Sequence, residues 1–265
     1  MTLPEMKGDF MELTEIAREV RKDILLQVYS AQSGHPGGAL SCADLLTSIY
    51  FDLINEGDKV VLSKGHASPA LYAVLAEKGF FPKEELTTFR KINSHLQGHP
   101  SLLKTNGVDA SSGSLGQGLS IANGMALAFK MDNKPNTVYA ILGDGELQEG
   151  QIWEAAMTAN QYRLNNLIVF VDYNKLQIDG SNDEVMQVAP VKEKFEAFGF
   201  FAQEIDGHNF EAIREAVMKA KAQEKPSVIV ANTIKGKGVL FMENQVSWHG
   251  KAPNKEQYEK AVKEL

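Results

Sequence analysis

The chain has 265 residues, 43% of them apolar, with 27 Lys+Arg against 34 Asp+Glu and a net charge of −7. That composition excludes a disordered chain, and a chain of this length buries a core without a disulfide or metal staple. The acidic balance argues against a nucleic-acid surface, and the single cysteine, Cys42, excludes a disulfide framework and fits a reducing, cytoplasmic setting.

Met1 to Asp9 shows no basic start followed by an apolar stretch, so no secretory signal is expected. Leu13, Ile16, Ala17, Val20, Ile24, Leu25 and Val28 then recur at helical spacing and predict a long amphipathic helix. Val60 to Leu62 is a weak strand candidate. Leu115, Leu119, Ala122, Met125, Ala126 and Phe129 predict a second helix, and Val138 to Leu142 a buried strand. Ile152, Ala155, Ala156, Ala159 and Tyr162 predict a third helix. Leu167 to Val171 is the next strand, Phe200 to Ile205 a weaker one, and Val228 to Val230 another. The polar tail, Lys251 to Leu265, reads as a solvated terminal helix or the stump of a connection. The longest strongly apolar run, Leu167 to Val171, is far too short to span a bilayer. Strands alternating with helices imply an α/β fold: one doubly wound, mostly parallel sheet with helices on both faces, spanning 1–265 as a single domain. In such sheets a ligand sits beyond the carboxyl ends of the strands.

Chemistry-bearing residues concentrate at those ends. Gly143-Asp144-Gly145-Glu146 follows the strand ending at Leu142, and its glycines allow a sharp turn and close approach to a ligand. The helix that follows offers free N–H groups to a diphosphate. Asn174 comes 30 positions after Asp144, at the end of the next strand. A carboxylate, an amide oxygen, a backbone carbonyl and two phosphate oxygens make an octahedral Mg²⁺ site plausible. Either segment alone is an ordinary turn. Four of the six histidines, His35, His66, His99 and His249, sit in Gly- and Pro-rich segments, where imidazoles donate hydrogen bonds and shuttle protons. Each taken singly reads rather as a satisfied loop residue. His95 and His99 have the spacing of helical zinc ligands, but Gly98 and Pro100 argue against a helix there. Gly113, Gly116 and Gly118 run in the order G-x-x-G-x-G, not the dinucleotide fingerprint G-x-G-x-x-G. Lys235-Gly236-Lys237-Gly238 reads as a solvated turn or an anion contact.

Ser-Gly-His-Pro-Gly at 33–37, Leu-Ser-Lys-Gly-His at 62–66, Gly-His-Pro at 98–100, Gly-Ser-Leu-Gly-Gln-Gly-Leu at 113–119 and Gly-Asp-Gly…Asn at 143–174 together resemble transketolase, in its N-terminal, diphosphate-binding domain. The resemblance covers nearly the whole chain. It implies thiamine diphosphate as cofactor with Mg²⁺, or another divalent cation such as Ca²⁺ or Mn²⁺. Asp144, Asn174 and the Leu176 carbonyl match the metal ligands. His66, Gly113, Leu115, Gly143, Gly145, Asn174 and His249 match the cofactor-binding set. His35, His66, His99 and His249 match catalytic histidines, with His35 and His99 toward the donor sugar. Glu149 and Glu154 match acidic residues near the subunit boundary, about 140° apart on a helix and so not one carboxylate pair. In the family, the glutamate that activates the cofactor and the arginines that hold the sugar phosphate lie on a pyrimidine-binding domain that no segment here matches. The resemblance therefore implies a split enzyme. A C-terminal partner subunit completes it, in an α2β2 heterotetramer acting on sugar phosphates in the manner of the pentose phosphate pathway, with neither nucleic acid nor membrane as partner. A chain specialised for a different sugar, such as a branched or sulfonated one, and the α-chain of a 2-oxo acid dehydrogenase are the related alternatives. An NAD-dependent dehydrogenase, or a non-catalytic binding or regulatory protein, would share the sheet.

Overall fold

The computed structural model describes residues 9–265; residues 1–8 of the stretch read for a secretory signal lie outside the described residues. Helix α1 (Phe10–Ala31) starts where the Asp9 carboxylate accepts the Met11 N–H at 3.2 Å, one of the donors a helix start leaves unpaired. Helices α2 (Pro36–Ser41) and α3 (Ala43–Ser48) and a π-turn (Ile49–Leu53) lead to strand β1 (Lys59–Leu62). There follow α4 (Ser68–Glu77), α5 (Gln117–Met131), β2 (Val138–Gly143), α6 (Gly150–Gln161) and β3 (Leu167–Tyr173). The rest is α7 (Asn182–Val185), α8 (Val191–Ala197), β4 (Phe201–Asp206), α9 (Phe210–Lys221), β5 (Ser227–Asn232) and α10 (Lys255–Glu264).

The five strands pair in the order β1-β2-β3-β5-β4, every pair parallel. Successive side chains alternate between faces. Tyr139, Ile141, Ile168, Phe170 and Ile229 point into the core built by α1 to α4 and α9. Val138, Ala140, Leu142, Val169, Val171, Val228 and Val230 point into the core under α5, α6 and α8. Burial on both faces explains why these strands read as continuous apolar runs. The weak candidates are the edge strands: β4 is half-exposed, so its run is diluted by Gln203 and Glu204.

All predicted helices and strands form, with four adjustments. Phe200 lies just before β4, whose first residue is Phe201. Leu115 lies in the loop before α5, whose first residue is Gln117, and Tyr162 lies just past α6. The charged tail is not purely solvated. Helix α10 packs on α1 through a Tyr29–Tyr258 ring stack at 4.3 Å and a buried Ala261. Among the described residues no helix is long and apolar enough to cross a membrane.

Candidate active site

The ends of four parallel strands build one pocket. Lys64 and His66 follow β1, Gly143 to Glu146 close β2, Asn174 and Leu176 follow β3, and Lys235 follows β5. His35, from the turn into α2, and His249 complete a cavity of about 320 Å³.

Adjacent β2 and β3 pair Gly143 with Asp172, so the turns beyond them are neighbours. Asp144 Oδ2 accepts the Lys175 N–H at 2.5 Å and Oδ1 accepts the Gly145 N–H at 2.8 Å. Asn174 Oδ1 accepts the Leu176 N–H at 3.1 Å. The Asp144 carboxylate, the Asn174 amide oxygen and the Leu176 carbonyl thus gather as hard oxygen donors, the set suited to Mg²⁺ or a similar cation. Burial, aided by the charge of Asp172, pushes the Asp144 carboxyl up to about 6, a shift that a nearby cation relieves. Among the described residues no group of three or more His, Cys, Asp or Glu is arranged to hold a metal ion, so a cation here would need amide and carbonyl oxygens beside the one carboxylate.

The loop of Lys235 is not a solvated turn: the residue is 1% exposed, and Nζ donates to the Leu176 carbonyl at 3.0 Å and lies 2.9 Å from His249 Nδ1. Of the two sequence readings, the anion contact is the one its burial favours. Burial pulls its ammonium down to about 8. Among the described residues no carboxylate forms an ion pair with it. A buried ammonium without a carboxylate beside a hard-oxygen donor set fits an anionic group bridged by a divalent cation, as a diphosphate with Mg²⁺ is.

Three imidazoles converge on the other side. Ring centroids are 5.3 Å apart for His35–His66, 5.5 Å for His35–His249 and 5.4 Å for His66–His249. Burial, reinforced by neighbouring cations, pushes His35 down to about 4, His66 to about 2 and His249 to about 3. All three are neutral at pH 7, each with one donor and one acceptor nitrogen. Following imidazole nitrogen resonances by NMR across pH 7 to 5 should show these three rings still neutral at pH 5.5. Titration near pH 6.5 would refute the cluster's burial.

Other expected residues fall at different depths. Gly113 and Leu115 line the pocket. His99 packs its ring against Gly113, beside the cavity and not among its lining. Glu149 reaches the rim as the N-cap residue of α6, while exposed Glu154 faces a separate groove between α5 and α6. His95 bonds Glu85 at 2.6 Å, away from any metal-type cluster among the described residues. The helix expected to follow Gly145 is α6, under way by Ile152, with a 3₁₀ turn, Gly145–Gln148, between them. Neither Gly143 nor Gly145 adopts left-handed backbone; a Cβ there would meet neighbours only at ordinary contact distances, 3.4 Å or more. The glycine that geometry demands is Gly116, at φ +85°, where a Cβ would lie 2.8 Å from Glu149 Cβ.

A family model, transketolase, thiamine diphosphate binding domain, matches residues 13–265. The chain belongs to the transketolase family. It is 48% identical to a 6-deoxy-6-sulfo-D-fructose transketolase subunit of Clostridium sp. (strain MSTE9), covering 98% of both chains. It is 40% identical to an apulose-4-phosphate transketolase subunit of Phocaeicola vulgatus, covering 96% of this chain and 94% of that one. The crystal structure of Campylobacter jejuni transketolase superposes with a TM-score of 0.91 at 34% identity, over 97% of this chain and 43% of that one. The chain thus spans nearly all of the subunit relatives and under half of that solved transketolase. For a transketolase domain of this kind the cofactor is thiamine diphosphate with a divalent cation. The dinucleotide reading is set aside accordingly.

The transketolase pocket also rests on two buried carboxylates that sequence reading does not single out. Glu146 accepts from the Ser63 hydroxyl, from Gly116 N–H at 2.9 Å and from Gly143 N–H at 3.0 Å, joining three of the pocket's segments. Asp172 pairs with Lys64 at 2.5 Å. Both carboxylates lie at or just beyond the end of an apolar strand, and a charge at such a place is the available signal.

Proposed function

We propose that this chain is the cofactor-binding subunit of a two-chain transketolase that moves a two-carbon ketol unit from a ketose phosphate to an aldose phosphate. The observation that carries this is the convergence of the Asp144, Asn174 and Leu176 oxygens, the Lys235 ammonium and three neutral imidazoles in one pocket. Thiamine diphosphate, when bound, supplies the electron sink for carbon–carbon cleavage. In this reading Asp144, Asn174 and the Leu176 carbonyl hold the cation. Lys235 neutralises diphosphate charge, and Gly143, Gly145, Gly113 and Leu115 form the walls. His66 and His249 face the cofactor. His35 and His99 donate hydrogen bonds to the donor sugar and hold or move a proton at its hydroxyl, as neutral imidazoles can near pH 7. Glu149 and Glu154 act at the boundary between subunits.

The chain then forms one module, 1–265, and a partner supplies the pyrimidine-binding and C-terminal domains, two copies of each chain making the heterotetramer in the cytoplasm. Support comes from the end-to-end match to proteins named as subunits and the 43% share of a solved transketolase. Co-expression with the neighbouring reading frame should give a complex whose ketol transfer needs both chains, thiamine diphosphate and Mg²⁺. Full activity of this chain alone would sink the split-enzyme reading.

A second reading concerns the donor. The 48% identical relative is named for 6-deoxy-6-sulfo-D-fructose, which favours a sulfonated ketose over a phosphorylated one. The complex should turn over the sulfonated ketose with kcat/KM at least about tenfold above that for xylulose 5-phosphate or apulose 4-phosphate. The reverse ranking would return the donor to the phosphate series.

A further inference from the structure

A buried charged chain outside the pocket ends at the residue before Lys235. Arg21 of α1 forks onto Asp44 of α3, Nη1 to Oδ1 at 2.9 Å and Nη2 to Oδ2 at 2.6 Å. His208, between β4 and α9, places Nδ1 2.7 Å from Asp44 Oδ2. Its other nitrogen, Nε2, accepts the backbone N–H of Ile234 at 2.9 Å. An accepting Nε2 carries no proton, so the ring's proton sits on Nδ1 and is donated to Asp44. The three side chains are nearly buried, at 9%, 6% and 12% exposure. Burial pushes the Asp44 carboxyl up, but Arg21 and His208 outweigh it and leave it below its ordinary value. Asp44 is therefore a fixed anion that sets the histidine tautomer.

The segment so held is the one that delivers Lys235. Arg21 Nε also donates to the Lys237 carbonyl at 3.1 Å, and Gly236 N–H donates to the Gly37 carbonyl at 3.0 Å. Gly236 and Gly238 have φ of +81° and +93°, so this stretch has wide conformational freedom unless it is pinned. We propose that His208 is a positioning residue for the active site: held by Asp44 as an acceptor, its Nε2 fixes Ile234 so that the Lys235 side chain enters the cofactor pocket. The proposal rests on the function above only in naming a diphosphate as what Lys235 meets.

The two ring bonds can be separated chemically. Asparagine at 208 places an amide nitrogen where Nδ1 stood and keeps Asp44 satisfied, but cannot reach Ile234. Glutamine places its amide oxygen near Nε2 and can accept the Ile234 N–H. If His208 merely satisfied Asp44, His208→Asn would behave like the parent protein and His208→Gln would not. The positioning role predicts the opposite. Hydrogen–deuterium exchange on the full chain should show residues 234–239 at least about tenfold less protected in His208→Asn and close to the parent in His208→Gln. Thiamine diphosphate affinity in the presence of Mg²⁺ should fall about tenfold in His208→Asn. That loss should vanish in a Lys235→Met background, as for two residues acting through one contact. Parent-like protection in His208→Asn, or lost protection in His208→Gln, overturns the proposal. The second outcome decides even if the asparagine variant fails to fold. Parent protein that binds no thiamine diphosphate would remove the cofactor reading and leave the exchange result standing.

Discussion

Asp144→Ala should abolish the divalent-cation dependence of thiamine diphosphate binding and weaken that binding at least about a hundredfold, near the upper end of what a supporting partner of a metal site costs and fitting for a direct ligand. Asp144 is the one carboxylate of the proposed donor set; the other two donors are a neutral amide and a carbonyl. Without it a cation meets no negative charge from Asn174 or Leu176, and Lys235 is left as the principal attraction for the diphosphate. The parent protein at cofactor concentrations about a hundredfold above Kd should gain about 2.7 kcal/mol of stability from the bound pair, and the variant should show almost none of it. Calorimetric titration and thermal melts, each with and without Mg²⁺, measure both. Unchanged cation-dependent binding would refute the metal assignment.

The variant should still fold. Its losses are the acceptors for the Gly145 and Lys175 N–H groups. Against that stands the burial that raises the carboxyl to about 6. An acid raised in the native state favours folding while it is protonated, and that contribution disappears as pH rises from about 4 through about 6. At pH 7, without a cation, the buried charge of Asp144 works against the fold, so its removal relieves a cost that partly offsets the lost hydrogen bonds. With Mg²⁺ and cofactor the order reverses and the parent protein is the more stable.

Local pattern makes much of this legible. Strands β2, β3 and β5 are apolar on both faces because helices cover both, so short runs reveal them. With strand ends located, Asp144 and Asn174 follow as residues just beyond neighbouring ends, and the parallel pairing of Gly143 with Asp172 bears out that proximity. Helices α2 to α4 escape sequence reading. Ala39 to Ser48 and Ala67 to Leu75 are buried along almost their whole length, so they lack the polar face that gives a 3.6-residue period. Lys235 is ambiguous in sequence because a lysine beside glycines resembles a solvated turn; its inward course rests on long-range contacts, among them Gly37 against its stem, where a Cβ would lie 3.1 Å from Lys235 Cγ. The long-range bonds of Glu146, Asp172 and His208 join segments 26 to 164 residues apart, and no periodicity encodes such pairing.

Lys64→Met should destabilise the chain by about 3–5 kcal/mol, a large part of a typical domain's stability of about 5–15 kcal/mol. Lys64 and Asp172 are 2% and 0% exposed and pair at 2.5 Å, and Lys64 Nζ also donates to the Gly38 carbonyl at 2.6 Å. Methionine matches the stem of the lysine, so the loss is electrostatic rather than a cavity. Asp172 would keep its bonds from the Ser41 and Thr233 hydroxyls but lose its ion-pair partner. In the parent protein burial raises the Asp172 carboxyl, yet Lys64 and those hydroxyls prevail and hold it below its ordinary value. Its contribution to stability is therefore present at neutral pH and is lost on acidification. Removing the lysine lets burial prevail, so the carboxyl rises above its ordinary value and the sign inverts. Urea midpoints should then rise for Lys64→Met between pH 7 and 5 relative to the parent protein over the same range. Adding Asp172→Asn to Lys64→Met removes the stranded charge, keeps an acceptor for one of the two hydroxyls and offers an amide N–H that the other can accept. The double variant should recover at least half of the loss at pH 7 and show no such inversion. If the single variant is as stable as the parent protein at pH 7, the pair is not what holds the β1 and β3 ends together. Recovery of stability without recovery of cofactor affinity would assign the pair's second duty, through Gly38, to placing the turn that carries His35.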